Sequence, residues 1–463
     1  MALRCTLCWL FTATDEDPMT AVQAYAAYGA SLSTTDLAAE VIHHAKRAVI
    51  DWYAALLPGA VEAPATAMER ALAEDLDRGK ARLTLGRAAS TRTAALINGT
   101  AAHTVEVDDI YREAIYHPGA PTIAAALAAA QDVGCDGARF LKAVVAGYEV
   151  STRIGAAMGR AHYRHWHNTG TIGTFGAATA AAVVYELDAV RIANALATSA
   201  TFAAGLQQAF RMDSMSKPLH AGRAAEAGLL AAQLASHGIT GSLDVLDGDA
   251  GLGKAMSDGP DWAAATRTLG TDFHITRITF KNHACCGHTF AAIDGALELQ
   301  QRLQVPAEQI ERVRVATYAP ALAVAGNPDP RTAAEARFSI PYVVATALLH
   351  GSVRLAAFAS ARLADPAIRE LMGRIELAVD PELDARFPGR RAARVELETR
   401  DGRRESYLQP TRKGDPEQPL SDAELDDKFR ELAEPVIGRQ RAATLLARLW
   451  SLDEVGDINR LVA

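Results

Sequence analysis

The chain has 463 residues, of which 49% are hydrophobic, 22% charged and only 6% aromatic, and its formal net charge is −8. That length exceeds one ordinary core, and the composition is that of a globular protein rather than a disordered or fibrous one. A negative balance without a basic cluster excludes a nucleic-acid footprint, and no apolar run reaches the ~18 residues of a membrane span. Residues 1–19 open with CTLCWLF and the acidic TDED, without a signal-cleavage site, and read as a disordered tail or start-site artefact ahead of an alternative start at Met19. Cys5 and Cys8 there have C-x-x-C spacing but no strand-helix context. Five unevenly spread cysteines fit a reducing, cytoplasmic compartment and not a disulfide framework.

From Thr20 to about Ala265, apolar residues recur at three and four, as in AAEVIHHAKRAVIDWYAALL, TRTAALINGTAAHTVEV, PTIAAALAAAQDV, GARFLKAVVAGYEVSTRIGAAM and FGAATAAAVVYEL. The turn signals DGA and HGITGS separate helices, no run alternates convincingly with period two, and this part reads as all-α. The pattern then changes. DFHITRITF (272–280), ERVRVATYA (311–319), GRIELAVD (373–380) and ARVELETR-DG-RRESYLQ (393–409) alternate as strands, the last two joined by an Asp401-Gly402 hairpin turn. Helices are expected at 289–303 and 339–350, and again at 421–449. The resulting architecture is mostly α: a large helical domain of residues 20–267, to which 411–463 return, with a smaller α+β domain of residues 268–410 inserted. A ligand cleft between the two is the expectation, since sites favour domain interfaces.

Eight of the thirteen histidines fall in four short stretches: HTVEVDDIYREAIYHPGAP (103–121), HYRHWHNTG (162–170), SKPLHAG (216–222) and KNHACCGH (281–288). Lysine is scarce, 8 residues against 39 arginines. Lys217 and Lys281 therefore stand out, because lysine can release its proton in a desolvated site and arginine effectively cannot. In KNHACCGH, adjacent Cys285 and Cys286 do not suit one tetrahedral ion, and no C-x-x-C or H-x-x-x-H partner is near. His162, His165 and His167 remain possible ligands. Cys286 with His288 is a nominal thiol nucleophile pair, while the helix start near Thr289 suits a substrate carboxylate equally well. HNTGTIGTFGAA leads into a helix through Gly170, Gly173 and Gly176; its spacing and the missing strand argue against a dinucleotide loop, leaving anion binding or close helix packing. The Glu106–Asp109 cluster ahead of His117 offers either a general acid with a raised pKa or a solvated helix end.

Taken together, NGTAAHTVEVDD, YHPGAP, GYEVSTRIG, HWHNTGTIGTFGAA, SMSKPLHAGRAAEAG, KNHACCGHTFAAIDGAL and EARFSIPYVVATALLHG resemble, in order, the motifs of the MmgE/PrpD family over residues 30–450. That family includes 2-methylcitrate dehydratase, cis-aconitate decarboxylase and iminodisuccinate epimerase. The resemblance implies a helical domain with an α+β lid, a homodimer, and an active site between domains that needs neither metal nor other cofactor. On the decarboxylase pattern, the first acid of D-x-D-D-T falls on Glu106 and its threonine on Ile110. The HP histidine falls on His117, the WHP-like histidine on His167, the K-P-x-H lysine on Lys217, the lid lysine on Lys281 and the F-S-x-x-Y tyrosine on Tyr342. Ile110, Asn168 and Cys286 depart from the pattern's threonine, proline and histidine.

These readings converge on a lyase or isomerase acting on a small di- or tricarboxylate by proton transfer at a carbon next to a carboxylate, through dehydration, epimerisation or decarboxylation. His117 and Lys281 are the first candidates for proton transfer, with Cys286 or His288 as the second partner and Glu106 beside them. Lys217, His167, Thr169 and Gly170 are expected to hold carboxylates, with Asp108, Asp109 and Tyr342 orienting neighbouring groups. A metal-dependent hydrolase built on the histidines and a non-catalytic carboxylate-binding protein are the competing readings.

Overall fold

Small side chains set the packing of the helical part of the chain. The computed structural model describes residues 19–32, 36–210, 214–387 and 389–461, and the CTLCWLF stretch with Cys5 and Cys8 lies outside them. The chain divides into two units, one running to Thr279 and resuming at Asp422, the other Phe280–Ser421.

The first unit contains α1 (Ala21–Ser31), α2 (Ala39–Ala60), α3 (Ala63–Ala71), α4 (Thr91–Thr104), α5 (Gly119–Val133), α6 (Gly137–Tyr163), α7 (Asn168–Thr171), α8 (Gly173–Val184), α9 (Ala189–Phe202) and α10 (Ser216–Ser236). Side-chain caps begin several of them: Asp136 accepts from the Arg139 N–H at 2.7 Å and Asp188 from the Arg191 N–H at 2.8 Å. α8 is buried along its whole length and packs against α5, α6, α9 and α10. A Cβ on Gly173 would stand 2.6 Å from Pro121 Cγ, and one on Gly176 2.5 Å from Thr122 Oγ1. Those two glycines of HNTGTIGTFGAA thus serve close helix packing, the plainer of the two readings.

Three sequence expectations are corrected here. The helical stretch also holds a small antiparallel pair, β1 (Leu76–Arg82) with β2 (Ala88–Ala89). β1 buries only its first and sixth residues, so it carries no alternation to detect. Residues 272–280 are not a strand: His274–Arg277 form a 3-10 turn, and only Thr279 pairs, in an isolated bridge with Ile110. Side chains of α6 take the place of a partner strand, with Glu149 accepting the Ile275 N–H at 3.1 Å and Thr152 Oγ1 lying 3.0 Å from His274 Nδ1. The expected helix 421–449 is two helices, Asp422–Ile437 and Arg439–Trp450, divided at Gly438 with φ +81°. The first of these packs on α2, where the buried Lys428 Nζ meets Asp51 Oδ1 at 2.5 Å and donates to the Val107 carbonyl at 2.7 Å.

The second unit is built on a four-stranded sheet in the order β4-β3-β5-β6, formed by β3 (Ile310–Thr317), β4 (Ile375–Val379), β5 (Ala393–Thr399) and β6 (Arg404–Gln409). β3 runs parallel to β4 and antiparallel to β5, and β5 turns into β6 through Gly402 at φ +86°. The helix Phe290–Leu303 covers β5 and β6. The opposite face carries ion pairs such as Arg312 with Glu398 at 3.0 Å, which mark it as solvated.

Candidate active site

In the first unit the end of α4 and the loop after it assemble a row of imidazoles around one carboxylate. His103, in the last turn of α4, and Asp108 are both buried, and His103 Nδ1 lies 2.7 Å from Asp108 Oδ2. His117 Nδ1 approaches the same oxygen at 3.2 Å. The His103 ring stands 4.8 Å from His117 and 5.6 Å from His167, whose Nδ1 is 3.0 Å from His220 Nδ1 on α10. Lys217, one turn before His220, forms an ion pair with Glu106. Two residues of this loop adopt left-handed backbone, Glu106 at φ +62° and Ile115 at φ +48°, the second a β-branched residue for which that conformation is costly.

The electrostatics follow from burial. Desolvation alone raises a buried carboxyl, yet the charges and hydrogen bonds of His103 and His117 outweigh it and hold Asp108 well below the usual range. Asp109 is pushed the opposite way, by its own burial and then by the Asp51 charge, which favours its neutral form. His167 is driven well below its ordinary value by burial and by the surrounding His103, Lys217, His220 and His117. His220 is lowered too, by burial and then by His103 and Lys217. A neutral imidazole pair thus lies beside a lysine ammonium, and His220 opens on a recess of about 470 Å³ lined by Ala204, Gly205, Leu206, Ser214, Ser216 and Arg223.

The other expected site residues are placed as follows. Asp108 is engaged by two histidines, and Asp109 accepts from the Gly119 N–H at 3.0 Å and the Tyr148 hydroxyl at 2.8 Å. Both brace the loop and neither is a solvated helix end. Thr169 is buried, its hydroxyl accepting the His117 N–H at 3.3 Å. A Cβ on Gly170 would stand 3.0 Å from His220 Cβ, so this glycine lets α7 approach the α10 imidazole. Tyr342 is fully buried in the second unit with its hydroxyl donated to the Ala357 carbonyl at 2.5 Å. The H-x-x-H-x-H stretch is split: His165 is exposed, and His162 is buried between Thr171 Oγ1 at 2.7 Å and the Met256 carbonyl at 3.1 Å.

In the second unit Lys281 is buried at the head of a loop that ends at Thr289. His283 is tied to Asp294 at 2.9 Å, and the buried Cys285 thiol, raised to about 12 by desolvation, lies 3.1 Å from Thr289 Oγ1. Burial raises the Cys286 thiol as well, which makes it a proton-bearing group and not a ready thiolate. His288 Nδ1 lies 2.8 Å from the Tyr318 hydroxyl, and burial, then Arg391 and Arg412, bring this histidine down to about 4.

Sequence reasoning assigned no role to His103, His220, Tyr318, Arg391 or Arg412. The first two stood inside the quoted stretches, whereas nothing distinguishes the two arginines from 37 others before folding. Among the described residues, His103, Asp108 and His117 are the group whose donor atoms, all within 4.8 Å of one another, suit a metal ion.

Residues 23–265 match the family model described as the MmgE/PrpD N-terminal domain, and residues 283–452 the model of the MmgE/PrpD C-terminal domain. The chain is 29% identical to a cis-aconitate decarboxylase-like protein of Aspergillus oryzae, covering 93% of this chain and 94% of that protein. It is 27% identical to the cis-aconitate decarboxylase of Homo sapiens over 80% of this chain and 78% of the human one. To a cis-aconitate decarboxylase of Aspergillus terreus it is 25% identical, with 94% of each chain covered.

Proposed function

We propose, from the premise that this chain belongs to the MmgE/PrpD family, that it is a lyase or isomerase moving a proton at a carbon next to a carboxylate of a small di- or tricarboxylate. The names of its relatives supply the substrate class, since cis-aconitate is a tricarboxylate. The observation that carries the reading is the imidazole row on buried Asp108 with the Lys217 ammonium beside it. Loss of a proton next to a carboxylate places negative charge on that carboxylate. Fixed donors stabilise such charge without reorganising, at roughly 3–4 kcal/mol for a good one.

His117 is the proposed proton-transfer group. With Nδ1 directed at the buried Asp108 carboxylate, its imidazole is oriented and its protonated form stabilised. Lys217, held by Glu106, and neutral His167 take a substrate carboxylate. Lys281 is the proposed second proton carrier, with the Cys286 thiol or His288 as its partner; Cys286 standing where the decarboxylase pattern has histidine favours a reaction other than decarboxylation of cis-aconitate.

Proton NMR of the protein with a panel of di- and tricarboxylates in D₂O tests this. Exchange of a hydrogen next to a carboxylate without net loss identifies an epimerase; a new vinyl signal identifies a dehydratase, and carbon dioxide release a decarboxylase. His117→Asn is expected to slow the reaction about 10²- to 10⁴-fold. Absence of exchange and turnover across the panel refutes the proposal. The His103, Asp108 and His117 donor set favours one second reading, a metal-dependent hydrolase. Stoichiometric zinc by elemental analysis, with hydrolysis abolished by a chelator, would establish it instead.

A further inference from the structure

Arg391 is a partly buried guanidinium in the second unit whose side chain makes no hydrogen bond or ion pair among the described residues. Burial disfavours it, and the nearby Arg412 cation disfavours it further. Arg412 is buried and already committed: its Nε and Nη2 donate to the two Asp415 oxygens at 2.9 and 2.8 Å. One carboxylate thus serves two guanidiniums, and a net positive charge remains.

The two cations converge over the backbone of Gly287. A Cβ built on Gly287 would stand 2.8 Å from Arg412 Nη1 and 3.8 Å from Arg391 Nη1. A side chain there would press on the Arg412 guanidinium, so this glycine, between Cys286 and His288 in sequence, is what lets both cations stand over the loop. Tyr318 completes the surround, its hydroxyl on His288 and its ring stacked on Phe387 at 4.6 Å. The carboxylate that acts on Arg391, Asp415, is the one already bonded to Arg412. Guanidinium forks match carboxylates with two parallel hydrogen bonds, and an anion here would relieve both the repulsion and the unpaired burial.

We propose that Arg391, with Arg412 over Gly287, forms a carboxylate-binding site for a small organic acid; that the acid is the substrate rests on the function proposed above. The probe is tricarballylate, an unreactive tricarboxylate, titrated calorimetrically into the full chain. Arg391→Gln is expected to weaken its binding about 10- to 100-fold, the usual effect of losing a charged hydrogen-bonding partner. Gly287→Ala, whose methyl would press on Arg412 Nη1, is expected to weaken it as well. The unliganded Arg391→Gln protein should melt no lower than the wild type, because the change removes an unpaired cation, so a folding defect cannot mimic the result.

A matching rise in KM for Arg391→Gln identifies the bound carboxylate as the substrate's; an unchanged KM with lost tricarballylate binding identifies a separate effector, and the site stands in both cases. Arg391-dependent binding by a protein that turns over no carboxylate leaves the site standing and removes the proposed function. Tricarballylate affinity within twofold of the wild type in Arg391→Gln, or no binding to the wild type, overturns the site while leaving the function to be judged by turnover alone.

Discussion

Asp108 lies between two imidazoles with 1% of its surface exposed, so no solvent screens its charge. Replacing it by Asn keeps the shape and removes the charge that orients His117. The expected outcome is a fall in kcat of about 10²- to 10⁴-fold with KM little changed, read from steady-state kinetics. Lys217→Ala should do the reverse, raising KM by at least about tenfold, because it removes a positive partner present before any chemistry. At this scale the sequence was a partial guide. His117, His167, Lys217 and Glu106 were singled out from four separate motifs, and folding brings them into one cluster. Asp108 and Asp109 were legible as acids but not as buried braces, since what faces a carboxylate is decided by elements far away in the chain. Tyr342 came from motif matching alone, and its hydroxyl proves to be engaged by the Ala357 carbonyl. Arg391 had no local signal at all; its meaning depends on a neighbour, Arg412, that already has a partner.

Among elements, α10 is the one that presents Lys217 and His220, and it can do so only by lying very close to α4. A Cβ on Gly222 would land on the Leu96 carbonyl and the Thr100 hydroxyl. Gly222→Ala is therefore expected to destabilise by about 1–3 kcal/mol and to lower activity together with stability, measured by denaturant titration and turnover on the same preparation. The helix Asp422–Ile437 is anchored differently, through the buried pair of Lys428 with Asp51. Lys428→Met should cost about 3–5 kcal/mol by stranding the Asp51 charge, and adding Asp51→Leu should recover most of that loss. Helical periodicity was easy to read because 3.6-residue patterning survives in an alanine-rich chain. β1 and the 272–280 segment were not, the first because it hardly alternates, the second because side chains of α6 satisfy its backbone.

For the molecule as a whole, buried histidines set the response to acid. Burial is the leading cause that brings His162 and His288 to about 4 and His274 to about 3, against 6.5 for the free group. The unfolded chain therefore binds more protons than the folded one in that interval. The stability these groups contribute is complete above about pH 6.5 and is lost as pH falls toward 4, at about 1.4 kcal/mol per pH unit for each. Glu149 runs the opposite way: burial raises it to about 7, so its contribution is present below 4.5 and lost as pH rises through 7. Three groups outweigh one, and the melting temperature should climb between pH 4 and 6.5, less steeply in His162→Asn. Among the described residues no helix is long and apolar enough to cross a membrane. The buried residues of α5 and α8 are largely alanine and glycine, and that has a consequence for how these helices tolerate change. Methyl groups and bare backbone leave little to trim, so few substitutions there can open a void, whereas almost any alternative residue adds bulk where none fits. In a saturation library α5 and α8 should fail mainly through enlargement, the reverse of what a leucine-built helix shows.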